Sequence, residues 1–165
     1  MEQRLRRRVR ILLGIVICGL VLSGVTAFPL ESELRWLTEA LEIGDAPSPA
    51  DGPLDSWLRT VRDALIDTNA RYRFLAYGTD WLAFAHLGIA VFFVGPLVDP
   101  PRNIWVIVAG LIACVGVVLL ALIAGAIRGI PFFWRLIDCS FGLFCAIPLT
   151  LAWHWTRQLE RIRPR

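Results

Sequence analysis

The sequence predicts an all-α integral membrane fold: a four-transmembrane-helix bundle with a short extracytoplasmic helical cap between helices 1 and 2. Three observations carry this expectation. Four apolar runs, at about residues 11–30, 79–98, 103–127 and 133–156, are each near the ~20 residues needed to cross a bilayer. The chain is 56% apolar with a mean hydropathy of +0.61, too hydrophobic for an ordinary soluble domain. All 17 basic residues are Arg, and most of them flank the apolar runs. A single membrane domain, residues 1–165, is expected, with residues 31–78 forming the cap.

The first run follows Arg4, Arg6, Arg7, Arg8 and Arg10. An Arg-rich start, an apolar core and Val25-Thr26-Ala27 together resemble a cleaved signal peptide. An uncleaved anchor is favoured, because the apolar stretch exceeds the ~7 to 15 residues of a signal core. Gly14, Cys18, Gly19 and Ser23 also supply small faces suited to close helix packing.

After the first run, residues 32–43 place Leu34, Leu37 and Leu41 at helical spacing before Gly44, a plausible stop. Residues 45–53, rich in Pro, Asp and Ala, read as a linker. Beyond it Leu54, Trp57, Leu58, Val61 and Leu65 form an apolar stripe, with Arg59, Arg62, Asp63 and Asp67 expected on the opposite, polar face. This pair of helices is expected to lie over the spanning helices as a lid, or else to dock a partner.

Gly95-Pro96 ends the second run, and the connection through Asp99, Pro100, Pro101 and Arg102 leads into the third. Small residues four apart (Ala109 and Ala113, Gly110 and Cys114, Ala121 and Gly125) suit close packing of the third helix. Residues 128–135 read as a tight hairpin, with Gly129 free to adopt unusual backbone angles and Pro131 suited to a helix start. Pro148 is expected to kink the fourth helix.

Four crossings put the two termini and the Arg102 connection on one side. Those three regions hold ten of the 17 Arg, adding Arg157, Arg161, Arg163 and Arg165, whereas residues 29–80 carry ten acids against five Arg. The positive-inside rule therefore places both termini in the cytoplasm and residues 31–78 outside. Trp81 and Trp134 then fall at the outer interface, and Trp105, Trp153 and Trp155 at the inner one.

Asp80, His86, Arg128, Arg135 and Asp138 all lie at or just inside the outer ends of the apolar runs. Ionisable groups at such positions are costly, so the cluster is a candidate ligand-binding site. Arg135 and Asp138 are three apart on one helix, and their face continues through Gly142 and Cys145; Thr79, Ala83, His86 and Ala90 share a face of the second. Two readings follow. Arg135 or Arg128 could pair with Asp138, and with Asp80, as a fixed ionic lock. Alternatively the Arg side chains could receive the anionic group of a lipid in an outer-leaflet pocket, or His86 and Asp138 could serve a quinone.

No catalytic residue, cofactor or metal site is predicted. The four cysteines all fall within apolar runs, lack Cys-x-x-Cys spacing and are expected to act as small packing residues. His86 and His154 sit at different depths on helices running in the same direction, too far apart for one haem. Ser140 with His86 and Asp138 is a weak basis for a catalytic triad. No basic face stands apart from the membrane flanks, so nucleic acid is not an expected partner.

The stretches Tyr77-Gly78-Thr79-Asp80-Trp81 and Gly129 to Gly142 resemble those of small bacterial multi-spanning inner-membrane proteins. The resemblance implies a bacterial inner-membrane protein and brings no catalytic residue or ligand with it. The expected role is that of a non-catalytic structural or accessory component, with the lipid bilayer and either a membrane-protein partner or a second copy as its contacts. A lipid- or quinone-binding protein is the alternative.

Overall fold

The computed structural model describes residues 2–162, so Arg163 and Arg165 lie outside the described residues. Its regular structure there is helical throughout: α1 (Glu2–Ala27), α2 (Leu30–Ala40), α3 (Pro53–Arg71), α4 (Tyr77–Phe92), α5 (Val94–Val98), α6 (Ile104–Ile127) and α7 (Phe132–Ile162), with short 3₁₀ turns at Arg73–Ala76 and Pro101–Asn103. Four stretches are long and apolar enough to cross a membrane: Glu2–Ala27, Arg73–Val98, Pro101–Ile127 and Phe132–Ile162. Their large side chains stand in the open, with Leu22, Val91, Leu120 and Phe144 65% to 71% exposed. Apolar surface on this scale is at home in hydrocarbon rather than water. Four such helices have the length and composition of a multi-pass membrane protein.

Two helix limits differ from the apolar runs. α1 begins at Glu2, well before the run at residue 11, because Leu5 and Val9 extend the buried stripe of Leu13 and Val16 into the Arg-rich segment. Glu2 also pairs with Arg6 at 2.9 Å, one turn on. The second break falls between α4 and α5, at Phe93 rather than at Gly95-Pro96. Pro96 has no N–H to offer the carbonyl four residues back, that of Phe92, so the interruption appears one turn before the proline.

The chain forms two compact units, Met1–Leu20 with Ile89–Arg165, and Val21–Gly88. In the first, α6 and α7 pack closely through small residues. A Cβ added to Gly142 would lie 2.8 Å from the Cys114 carbonyl oxygen, and one on Gly110 would lie 3.0 Å from Leu149 Cδ1. Gly142, Leu149 and Thr156 recur every seven residues along α7, as do Ala152 and Leu159, and all five are buried. The helix continues through Pro148. Of the paired small residues on α6, Gly110, Cys114, Ala121 and Gly125 face inward while Ala109 and Ala113 are exposed.

α1 joins this unit differently from the sequence expectation. Leu5, Val9, Leu13 and Val16 pack into a core with Phe93, Ile107, Leu149 and Ala152, whereas Cys18 and Ser23 are exposed and Cβ atoms at Gly14 and Gly19 would meet nothing within 4 Å. Bulky residues bury more apolar area than the small face could. The N-terminal end of α1 is tied down by Arg10, whose Nε donates to Leu97 O at 3.1 Å and Nη2 to Val98 O at 3.3 Å. Arg8 lies 5.4 Å above the Trp155 ring. The basic start of α1, the end of α5 and the end of α7 thus share one end of this unit.

In the second unit the end of α1 abuts α4: a Cβ on Gly24 would lie 2.9 Å from Ala83 O. α2 and α3 form a hairpin around Thr38, Ile43 and Leu58. α2 ends before Gly44, with Glu42 taking the left-handed conformation (φ 56°). The Ile43 N–H donates to Thr38 O and the Glu42 N–H to Glu39 O, which closes the last turn. Pro53 opens α3, and the Asp55 carboxylate accepts the Gly52 N–H at 2.9 Å. Arg59 and Arg62 are buried, contrary to the polar outer face expected for them. The linker supplies partners for both: Arg59 bonds Gly44 O and Asp51, and Arg62 bonds Asp45 as well as its α3 neighbour Asp63.

Candidate functional site

The five candidate residues divide between the units: Asp80 and His86 belong to Val21–Gly88, and Arg128, Arg135 and Asp138 to the other. None takes part in an ion pair among the described residues.

The hairpin between α6 and α7 positions the two arginines. Arg128 caps α6, its N–H donating to Ala124 O at 2.9 Å, and Gly129 follows with φ +71°, a conformation that costs a side chain little only when there is none. The Ile130 N–H then reaches Gly125 O at 2.9 Å, closing the turn and aiming α7 back along α6. Arg135 lies across that junction. Its Cδ and Cγ fill the space above Gly125, where a Cβ would come within 2.8 Å. Its Nη1 donates to Leu122 O at 3.4 Å and its guanidinium carbon lies 5.2 Å from the centre of the Phe132 ring. A cation among the last carbonyls of a helix also complements the helix dipole.

Arg135 and Asp138 occupy the stripe that continues through Gly142 and Cys145, yet they are not paired. Helical side chains lean toward the N-terminus, so a long residue reaches back a turn rather than forward. An Arg that precedes an acid is in the less favourable order, and further along α7 the same order pairs Arg157 with Glu160 only at 3.4 Å. Of the two sequence readings, the ionic lock included an Arg135–Asp138 pair; here Arg135 bonds backbone and ring instead. Asp138 stays half-buried, and the neighbouring Ser140 hydroxyl donates to Ile137 O at 2.6 Å.

On α4, Asp80 occupies the first turn, where a carboxylate favours the helix dipole. His86 lies on the packed face with Thr79, Ala83 and Ala90. His86 lies six positions beyond Asp80, which places them about 120° apart around the helix. The His86 Nδ1–H donates to Leu82 O at 2.8 Å, leaving Nε2 as the ring's remaining polar atom. His154 Nε2 accepts from the Gln158 amide at 2.9 Å. Among the described residues no three His, Cys, Asp or Glu side chains come together as a metal site. The cysteines are free; Cys114 and Cys139 are buried between α6 and α7.

Two cavities have linings that include none of the five. One, of about 400 Å³, is an open groove along Gln3, Arg6, Arg7, Arg10 and Ile11 of α1. The other, of about 240 Å³, lies within Val21–Gly88 where α1 ends, α2 begins, α3 ends and α4 begins. Its polar wall centres on Glu31, a residue that helical periodicity did not single out. Glu31 Oε2 accepts the Asn69 amide at 2.6 Å, and Oε1 accepts Arg35 Nε at 3.0 Å. These bonds, the Asn69 one foremost, hold the carboxyl below its usual range. Asp51 is lowered likewise, chiefly by Arg59 and then by the Ser48 N–H, and the Arg59 guanidinium is raised by Asp51. No sequence signal links Glu31 to Asn69, because they stand 38 positions apart on different helices. The chain matches no protein-family model, and no curated protein or solved structure is significantly similar to it.

Proposed function

We propose that this protein is a non-catalytic structural or accessory component of a bacterial cytoplasmic membrane, working through self-association or a membrane-protein partner. In this reading both termini are cytoplasmic and the α2–α3 hairpin is an extracytoplasmic cap on a four-helix bundle. The observation that carries it is the use of Arg135. A guanidinium set against Leu122 O, the Phe132 ring and the surface of Gly125 supports a role in fastening the α6–α7 hairpin. The clustering of Arg8, Arg10 and Trp155 at one end of their unit supports the orientation.

A second reading, lipid or quinone binding, draws on one observation: Asp138 is half-buried on the inward stripe and makes no ion pair with the described residues. Native mass spectrometry of the protein extracted with its own lipids separates the two. The structural reading expects a discrete oligomer or heterocomplex whose bound molecules are the same in Asp138→Asn and Arg135→Gln. A lipid or quinone retained by the native chain and lost in Asp138→Asn would replace it with the binding reading.

A further inference from the structure

The 240 Å³ cavity is set where two candidate spans end. Phe28 follows the last residue of α1, and Thr79 lies in the first turn of α4. Phe28 and Leu75, both about half exposed, give it an apolar lip, and Glu31, Ser32 and Asn69 give it a polar wall. The Thr79 hydroxyl is already engaged, donating to Ala76 O at 2.6 Å.

Beside the second Asn69 N–H and the Ser32 hydroxyl proton, the wall offers acceptor capacity, one part of it charged. A carboxylate has about four lone-pair positions. Arg35 takes Glu31 Oε1 through both Nε and Nη2, and Asn69 takes one position on Oε2, so Oε2 keeps another. Asn69 spends one of its two amide N–H bonds on Glu31, and its Oδ1 receives no donor from the described residues. The Ser32 hydroxyl adds a third acceptor. Three acceptors, one of them charged, match the three N–H bonds of a primary ammonium and repel a phosphate. Arg35, on the far oxygen and half out in solvent, keeps further donors for an anion beside that ammonium.

We propose that this cavity binds a primary ammonium group carried by an amphiphile, the chemistry of an aminophospholipid headgroup. The inference rests on α1 and α4 crossing the bilayer and is independent of which side the cap faces. A soluble amine would present the same ammonium without the tail, so the test includes both sources.

The full-length protein is reconstituted in nanodiscs containing equal phosphatidylethanolamine, phosphatidylcholine and phosphatidylglycerol, and the lipids retained after ejection are counted by native mass spectrometry. Phosphatidylethanolamine should be retained about tenfold over phosphatidylcholine, the effect expected of charge-assisted hydrogen bonds that a quaternary amine cannot make. Glu31→Gln, which removes the charge, and Ser32→Phe, which fills the cavity while keeping Glu31 and its partners, should each abolish that preference. Glu39→Gln, on the exposed face of α2, should retain it. Displacement of the lipid by ethanolamine would show that the ammonium suffices, and retention despite ethanolamine would show that the tail contributes. Equal retention of the three lipids, or a preference that survives both Glu31→Gln and Ser32→Phe, would overturn the proposal. Resistance of the protein to carbonate extraction from the membranes of the cells that express it tests the spanning reading separately.

Discussion

Arg59 Nη1 donates to Asp51 Oδ2 at 2.6 Å while its Nε donates to Gly44 O at 2.7 Å, so one buried guanidinium clasps both ends of the linker between α2 and α3. Arg59→Met keeps most of the apolar stem and removes both clasps. Proteolysis of the intact protein should then cut within residues 45–52 several-fold faster, with the spanning helices unaffected. Unchanged cleavage would mean that Arg62, bonded to Asp45, holds the linker unaided.

The same pair predicts an acid-sensitive hairpin. Asp51 and Glu31 titrate below their unfolded values, so the stability they contribute is fully present above the ordinary carboxylate range of about 4 and is lost as the pH falls through their folded values. Protease sensitivity of the linker should rise below about pH 4. In Arg59→Met the Asp51 part of that rise should disappear, since the largest cause of its shift is gone.

Close approach of α6 and α7 makes Gly142 far less tolerant than Gly116. Gly142→Val puts a branched side chain against the Cys114 carbonyl and should destabilise the protein by at least about 1–3 kcal/mol. Gly116 has nothing within 4 Å of its Cβ position, and Gly116→Val should be nearly neutral. Thermal unfolding in mild detergent compares the two.

Because Arg135 and Asp138 are not paired, their substitutions should act independently. Arg135→Gln is expected to loosen the hairpin by removing the bond to Leu122 O, and Asp138→Asn to have a smaller effect. The coupling energy from the double-mutant cycle should stay below about 0.5 kcal/mol. A double variant markedly more stable than the sum of the singles would restore the ionic lock.

The proposed orientation predicts the reactivity of two exposed-loop positions. In intact cells an impermeant maleimide should label Ser48→Cys above the background of the native thiols and should leave Arg102→Cys unlabelled until the membrane is opened. The reverse pattern would invert the topology.

Helix content and the capacity to cross a membrane four times were legible in the sequence, because both depend on composition averaged over some twenty neighbouring residues and need no partner. The turn at Gly129 and the shared face of Gly142 and Cys145 were legible too, since they depend on local geometry alone. Only the tertiary structure decided where the long polar side chains end. Arg59 and Arg62 turned inward, Arg10 found the carbonyls of Leu97 and Val98, and Arg135 took Leu122 O in preference to Asp138. Glu31 met Asn69 across a helical hairpin that no periodicity encodes. The reason is reach: a guanidinium can contact any carbonyl or carboxylate within a sphere several ångströms wide, and what enters that sphere is set by how distant segments pack.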